Sequence, residues 1–215
     1  DYALYCLQTL SDDLATYLYR TVGKQSAPLI IRTRGHRLEG IWHSGSPMGG
    51  LLNFLRGINL IVPRNMTKAA GFYNSIIQTD EPALIVEPLN GYRVKERMPI
   101  NLGEYCYELG KIEVLKNGKD ISIVSYGSTL NLIIDSVSEL NELGIDVEII
   151  DIQTLIPFDI SNDILISVKK TNRIIIVDED VPGGASAYIL HKLIDEQGIF
   201  NHLDSPPKTL TAKDH

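Results

Sequence analysis

The sequence predicts an α/β fold made of two parallel-sheet domains. Short apolar runs rich in Ile, Val and Leu alternate with longer segments whose apolar residues recur every three or four positions. Strands that alternate with helices in this way are joined by right-handed crossovers, which make neighbouring strands parallel and cover both faces of the sheet. Residues 88–103 have weak patterning, so we expect one domain in residues 1–98 and a second in residues 99–215.

The elements of each half are predicted from hydrophobic periodicity. Leucines at positions 4, 7, 10, 14 and 18 share one face of a helix that runs to about Arg20. The other predicted elements of the first half are strands at residues 29–33, 58–62 and 83–87 and helices at residues 51–56 and 66–77. Those of the second half are strands at residues 121–126, 147–152, 173–177 and 208–212 and helices at residues 130–143, 160–170 and 185–196.

A glycine-rich loop after the earliest predicted strand is the first candidate functional segment. Residues 34–50 hold five of the 17 glycines without periodicity, and long loops of this kind often carry function. Ligands in α/β sheets gather beyond the carboxyl ends of strands, so His43, which titrates near neutrality, is a candidate for moving protons or holding a carboxylate. His36 lies between Arg34 and Arg37, whose charges disfavour its protonation, and we interpret it as a solvated group or an anion contact.

Two further segments have a structural interpretation as well as a functional one. Residues 126–129 (Tyr-Gly-Ser-Thr) could hold an anion at the start of a helix, but they lack the glycine-rich phosphate fingerprints and are interpreted as a βα turn. Residues 178–180 (Asp-Glu-Asp) could attract Mg²⁺, yet adjacent strand residues point to opposite faces, and we assign no metal there. Instead, we expect Gly183 and Gly184 to allow close backbone packing and the acids to face an interface or solvent.

Composition and charge argue against several classes of function. The formal net charge is -7 and no basic run occurs, which argues against a nucleic-acid or anionic-membrane surface. The apolar runs are far shorter than the roughly 20 residues of a membrane span. Cys6 and Cys106 lack CxxC spacing, so we expect a reducing, cytoplasmic location. The chain opens at Asp1 directly on a helical pattern and without an initiating Met, so we expect a cut rather than a natural start.

Seven short motifs occur in an order that matches one family. They are LIIRT at residues 29–33, WHSGSP at 42–47, IVP at 61–63, PALIVEP at 82–88, VSYG at 124–127, EIIDIQTLIP at 148–157 and DEDVPGG at 178–184. In this order and spacing the chain resembles the beta subunit of thiamine-diphosphate-dependent 2-oxo acid dehydrogenases, which belong to the transketolase-like superfamily. Each motif is weak by itself, but the ordered set is specific and spans nearly the whole chain.

The resemblance implies a domain assignment and a set of site residues. Residues 1–98 would be the later part of a pyrimidine-binding domain, and residues 99–215 a transketolase C-terminal-like domain. His43 matches the family's active-site His, which contacts the 2-oxo acid carboxylate or assists acylation of the lipoyl group. Arg34, His36 and Ser44 are candidate substrate-binding residues near it. In such enzymes thiamine diphosphate and Mg²⁺ are held by residues that this sequence does not contain, so no cofactor-binding or metal-binding residue is assigned.

The resemblance also implies a reaction and partners. The intact enzyme would decarboxylate pyruvate or a branched-chain 2-oxo acid oxidatively and pass the acyl group to a lipoyl arm, while this chain alone would be inactive and would not bind the cofactor tightly. Its partners would be an alpha subunit or alpha domain and the lipoyl acyltransferase component, in a homodimer or heterotetramer, with no nucleic acid and no membrane.

Two other hypotheses stay open from the sequence. The first is a relative of transketolase or deoxyxylulose-phosphate synthase, in which Arg34 and Arg37 would clamp a sugar phosphate. The second is a non-catalytic role for residues 99–215 as a dimerisation and docking module. This second role is compatible with the 2-oxo acid dehydrogenase assignment.

Overall fold

The computed structural model describes residues 2–35 and 47–213. The predicted α/β class is confirmed, because strands and helices alternate along the described chain and the strands form two sheets. Among the described residues, no helix combines the length and apolar character that crossing a membrane requires.

The first half of the chain begins with short helical turns and continues as alternating strands and helices. In chain order its elements are a 3-10 helix (Tyr2–Cys6), a π-helical turn (Thr9–Leu14), α1 (Tyr17–Arg20), β1 (Ile30–Gly35), α2 (Met48–Phe54), β2 (Asn59–Ile61), α3 (Met66–Ile77), β3 (Ala83–Pro88) and a 3-10 helix (Leu89–Arg93). The prediction of one continuous amino-terminal helix is therefore wrong, because this segment is divided into three short helical elements. The Thr16 hydroxyl donates to the Asp12 carbonyl, a type of side-chain bond that bends helices.

The second half has more strands than the sequence pattern indicates. In chain order its elements are β4 (Glu113–Lys116), β5 (Ile121–Ser125), α4 (Thr129–Asp135), α5 (Val137–Glu142), β6 (Val147–Asp151), β7 (Thr154–Ile156), α6 (Asp163–Thr171), β8 (Ile174–Val177), α7 (Ala185–His191), a π-helical turn (Lys192–Glu196), a 3-10 helix (Ile199–His202) and β9 (Lys208–Leu210). The strands β4 and β7 were not predicted, because each is too short to show a clear alternation of apolar and polar residues.

Two predicted helices differ from the observed ones for local reasons. The helix predicted at residues 130–143 is divided into α4 and α5 at Ser136, whose hydroxyl donates to the Ile133 carbonyl at 2.8 Å. The helix predicted at residues 160–170 begins later, at Asp163, because the carboxylate of Asp159 accepts the N–H of Asp163 and the N–H of Ile164. Side-chain hydrogen bonds to the backbone thus set both boundaries.

The first sheet has the strand order β1-β3-β2-β7. Its first three strands are parallel, with Ile30 opposite Ala83 and Arg34 opposite Glu87. The fourth strand, β7, belongs to the second half of the sequence and runs antiparallel to β2. The sheet is thus mainly parallel, as predicted, with one antiparallel strand at its edge, and the second half of the chain completes the sheet of the first half.

The second sheet has the strand order β4-β6-β5-β8-β9. The strands β6, β5, β8 and β9 are parallel, as predicted, whereas β4 is antiparallel to β6. The carboxyl ends of β5, β6 and β8 lead into Tyr126, Ile152 and Asp178, so these residues lie at the same edge of the sheet. That edge faces the first half of the chain.

One apolar core joins the two sheets. The helices α2 and α7 pack against each other, and both contribute buried side chains to this core. Buried members of the cluster include Leu60 of the first sheet and Val62 just after β2, Val124, Ile150 and Ile176 of the second sheet, Leu52 of α2 with its C-cap residue Leu55, and Ile189 of α7. Because the core is continuous, the position of α2 relative to the second sheet is set by close packing.

Candidate functional site

The structure places one of the four predicted site residues. Arg34 lies in β1, opposite Glu87 of β3, and its side chain is exposed at the carboxyl end of the strand. His36, His43 and Ser44 lie outside the described residues, so their proposed roles stay predictions. The described chain ends at Gly35 on one side of this segment and resumes at Pro47 on the other.

A cluster of side chains around the Glu87 carboxylate lies at the carboxyl end of β1 and β3. The buried Glu87 accepts hydrogen bonds from Arg32 at 2.8 Å and from the Tyr73 hydroxyl at 2.7 Å. The Tyr92 hydroxyl also donates to Glu87, and Arg32 donates to Tyr92 at 3.2 Å. Among the described residues, no carboxylate forms an ion pair with Arg34. The cluster therefore neutralises Arg32 and leaves Arg34 as the candidate anion contact at this edge.

The cluster is held in one protonation state. Burial raises the pKa of Glu87, but the hydrogen bonds from Tyr92, Tyr73 and Arg32 outweigh burial and place this pKa below its ordinary value. Burial and the bond to Glu87 raise the pKa of Tyr73. At neutral pH Glu87 is thus an ionised hydrogen-bond acceptor and Tyr73 a neutral donor, so neither is suited to exchange protons with a substrate.

On the carboxyl-terminal side of the predicted site segment, the start of α2 packs against the loop before α7. Met48, the first residue of α2, is fully buried. The backbone N–H of Gly49 donates to Oδ2 of Asp180 at 3.0 Å. A Cβ atom on Gly49 would lie 2.8 Å from the Cα atom of Gly184, so only glycine allows the two backbones to approach this closely. The expected close packing at Gly184 is confirmed, and its partner is Gly49.

The three acids at residues 178–180 are buried, which contradicts the expectation that they face an interface or solvent. Their exposed fractions are 3%, 6% and 3%. Asp178 accepts hydrogen bonds from the Tyr126 hydroxyl at 2.6 Å and from the Ser186 backbone N–H at 2.8 Å. Burial raises the pKa of Asp178. The pKa of Tyr126 is raised by its own burial and by the negative charge of Asp178 beside it. Asp178 and Asp180 are accommodated inside because backbone N–H groups and a hydroxyl satisfy their carboxylates.

A charged network connects the end of β2 to the second sheet. Arg64 forms an ion pair with Asp151 at 2.9 Å and a second one with Glu113. Lys68 pairs with Glu113 at 2.9 Å, and its ammonium group lies 3.7 Å from the centre of the Tyr107 ring. Because Arg64 and Lys68 come from the first half and Asp151 and Glu113 from the second, the network ties the two halves together.

Asp151 makes the stability of this junction depend on pH. Complete burial raises its pKa to about 6, against the opposing effect of Arg64. The folded state therefore binds the proton more tightly than the unfolded state, and this stabilising contribution is lost as pH rises from about 4 to above 6. A shift of this size corresponds to about 3 kcal/mol.

This pH dependence is tested by comparing the wild-type protein with the Asp151→Asn variant, which has no titratable group at this position. Between about pH 4 and pH 7, the unfolding free energy of the wild type should fall relative to that of the variant by up to about 3 kcal/mol, as determined by denaturant titration. A difference between the two proteins that does not change with pH would contradict the assignment.

Sequence reasoning missed Asp180 and Asp151 as structural residues of the junction. Gly49 and Gly50 on one side, and Gly183 and Gly184 on the other, form two glycine pairs in the sequence. That repetition was a usable signal for a close backbone contact, but nothing in the sequence shows that the two pairs meet. For Asp151 the signal was an acidic side chain within a strand predicted to be buried, β6.

The second half of the chain matches a known domain family. Residues 110–215 match the family model described as transketolase, C-terminal domain. A solved structure described as a split gene transketolase, inactive beta4 tetramer, has a TM-score of 0.66 and 19% identity, covering 94% of this chain and 65% of that chain. At this identity the similarity shows the fold alone.

The whole chain is similar to beta subunits of 2-oxo acid dehydrogenases, which confirms the predicted resemblance. The mitochondrial 2-oxoisovalerate dehydrogenase subunit beta of Dictyostelium discoideum is 32% identical over 100% of this chain and 58% of its own length. The pyruvate dehydrogenase E1 component subunit beta of Bacillus subtilis is 30% identical over 97% and 63%. The acetoin:2,6-dichlorophenolindophenol oxidoreductase subunit beta of the same species is 29% identical over 99% and 61%. The chain thus spans about three fifths of these relatives.

Proposed function

We propose that the chain is the carboxy-terminal part of the decarboxylating component of a 2-oxo acid dehydrogenase. The observation that carries the proposal is the similarity to beta subunits of this class over nearly the full chain. We propose further that residues 1–98 are the later part of a pyrimidine-binding domain and that residues 99–215 are the transketolase C-terminal-like domain, although β7 adds to the first sheet.

The proposed site lies at the carboxyl end of β1. Arg34 is exposed there and offers a guanidinium group to the carboxylate of a 2-oxo acid. His43 is proposed to bind this carboxylate or to move a proton during acyl transfer, and Ser44 to donate a hydrogen bond beside it. His36 is kept as a solvated group or a secondary anion contact. These roles rest on the motif match and on the exposed position of Arg34.

The proposed cofactor is thiamine diphosphate with Mg²⁺, and the described residues do not form a complete site for it. They contain no group of three His, Cys, Asp or Glu side chains placed to hold a metal ion. Asp178 and Asp180 already accept backbone hydrogen bonds inside the fold and are not arranged for a cation. We propose that the diphosphate and metal are held by an alpha subunit or alpha domain.

The proposed assembly contains this alpha partner and a lipoyl acyltransferase, in a homodimer or heterotetramer. The relatives are named as beta subunits, which supports a partner of another type. A cytoplasmic location is proposed from the cysteine usage, and the Dictyostelium relative is named as mitochondrial. A dimerisation and docking role for residues 99–215 is part of the same proposal.

The reaction class is tested by assaying the full-length protein together with its alpha partner. Oxidation of pyruvate or a branched-chain 2-oxo acid should reduce lipoamide, whereas sugar-phosphate donors should not react. Acetoin belongs in the same panel, because one relative is named as an acetoin oxidoreductase subunit. Turnover of a sugar phosphate without any 2-oxo acid activity would favour the transketolase-type alternative and contradict the proposal.

A further inference from the structure

The start of α2 depends on a residue from the other half of the chain. Gly49 is the second residue of α2, and the N–H groups of a first helical turn have no partner within the helix. The N-cap residue Pro47 makes no side-chain capping bond. Asp180, which is 131 residues away, accepts the Gly49 N–H at 3.0 Å, and its negative charge suits the positive end of the helix dipole.

Asp180 is held firmly enough to act as an anchor. It is 3% exposed, and its other carboxylate oxygen accepts the Val181 N–H at 2.9 Å. Its own backbone N–H donates to Asp178 at 3.1 Å, and its carbonyl accepts the N–H of Ala212 at 3.1 Å. Because four hydrogen bonds fix this residue, movement of α2 away from it leaves a buried carboxylate oxygen without a partner.

We infer that Asp180 is a positioning residue that fixes the amino end of α2, where residues 36–46 rejoin the described fold. The close contact between Gly49 and Gly184 supports this inference independently, because it leaves no room between α2 and the loop before α7. The inference rests on the proposed function in one respect. The position of α2 matters for the reaction because His43, which is proposed to act on the substrate, precedes α2 by five residues. The second half of the chain would thereby fix where α2 begins.

Hydrogen exchange tests the anchoring without any assay of activity. In Asp180→Ala, the amides of α2 should exchange faster than in the wild type, because the Gly49 N–H loses its acceptor. Asp159→Ala is the matched control: Asp159 is 1% exposed and accepts two backbone N–H groups at 2.9 Å, but it caps α6. In the control only α6 should exchange faster. Unchanged exchange at α2 in Asp180→Ala would overturn the inference.

Kinetics test whether the anchoring serves the reaction. In the full-length protein with its alpha partner, Asp180→Ala should lower kcat/KM for the 2-oxo acid on the order of 100-fold, because small displacements of reacting groups are this costly. Asp180→Asn keeps one oxygen acceptor, which can serve either the Gly49 N–H or the Val181 N–H, and should recover part of the activity. Asp159→Ala should stay within about twofold of the wild type. All variants are compared below their melting temperatures.

The outcomes separate the inference from the proposed function. If Asp180→Ala is as active as Asp159→Ala, the positioning role is wrong and the proposed function stands. If the wild-type enzyme turns over no 2-oxo acid, the proposed function fails, and the exchange experiment still decides whether Asp180 anchors α2.

Discussion

Replacing His43 with alanine is expected to lower kcat/KM for the 2-oxo acid by about 100-fold to 1,000-fold in the intact enzyme. An imidazole that transfers a proton or binds the reacting carboxylate typically contributes this much. The matched control is His191→Ala, because His191 is an exposed histidine of α7 that pairs with two exposed acids, Asp195 and Glu196. The control should retain the activity of the wild type. Equal activity of the two variants would contradict the role of His43.

Two electron acceptors separate the two roles proposed for His43. With 2,6-dichlorophenolindophenol as the acceptor, the assay reports decarboxylation and oxidation without acyl transfer to lipoamide. If His43 binds the substrate carboxylate, its loss should lower the rate with both acceptors. If it assists acylation of the lipoyl group, only the lipoamide assay should fall.

Alanine at Gly49 and alanine at Gly50 should change the stability of the protein in opposite directions. A Cβ atom on Gly49 would lie 2.8 Å from the Cα of Gly184, which is backbone and cannot rotate away. Forcing this overlap should lower the free energy of unfolding by about 1–3 kcal/mol. A Cβ atom on Gly50 would meet nothing within 4 Å, so this alanine should stabilise α2 by about 0.5–1 kcal/mol.

The two variants control for each other, because both place alanine in the same helix at adjacent positions. Denaturant titration of the purified proteins gives the free energies directly, and the midpoints should lie on opposite sides of the wild-type midpoint. If both alanines stabilise the protein, the close approach of α2 to the loop before α7 is wrong. If both destabilise it equally, helix α2 does not extend through these positions.

The sequence was sufficient for the elements whose signals are local. Helix α3 was predicted at its observed bounds, Met66–Ile77, and Asn65 caps it by accepting the Lys68 N–H at 2.8 Å. The strand β3 was predicted to within one residue, because a continuous apolar run between turn residues is typical of a buried parallel strand. Such elements can be predicted because residues close in sequence determine them.

The elements that were missed depend on partners far away in the sequence. Strand β7 has only three residues and exists because β2 offers a free edge. The burial of residues 178–180 depends on Tyr126, on Gly49 and on the start of α7. From the sequence these acids look like surface residues, because acidic side chains are rarely buried without specific partners. The candidate site segment was proposed from composition, whereas the hydrogen bond from the Gly49 N–H to Asp180 was not foreseen.

We propose that this chain supplies one part of a cofactor cleft that another part must complete. Calorimetric titration of thiamine diphosphate with Mg²⁺ tests it most directly, first into the 215-residue chain alone and then into the full-length protein with its alpha partner. We expect no tight binding by the chain alone and tight binding by the assembled enzyme. Tight binding by the isolated chain would contradict it.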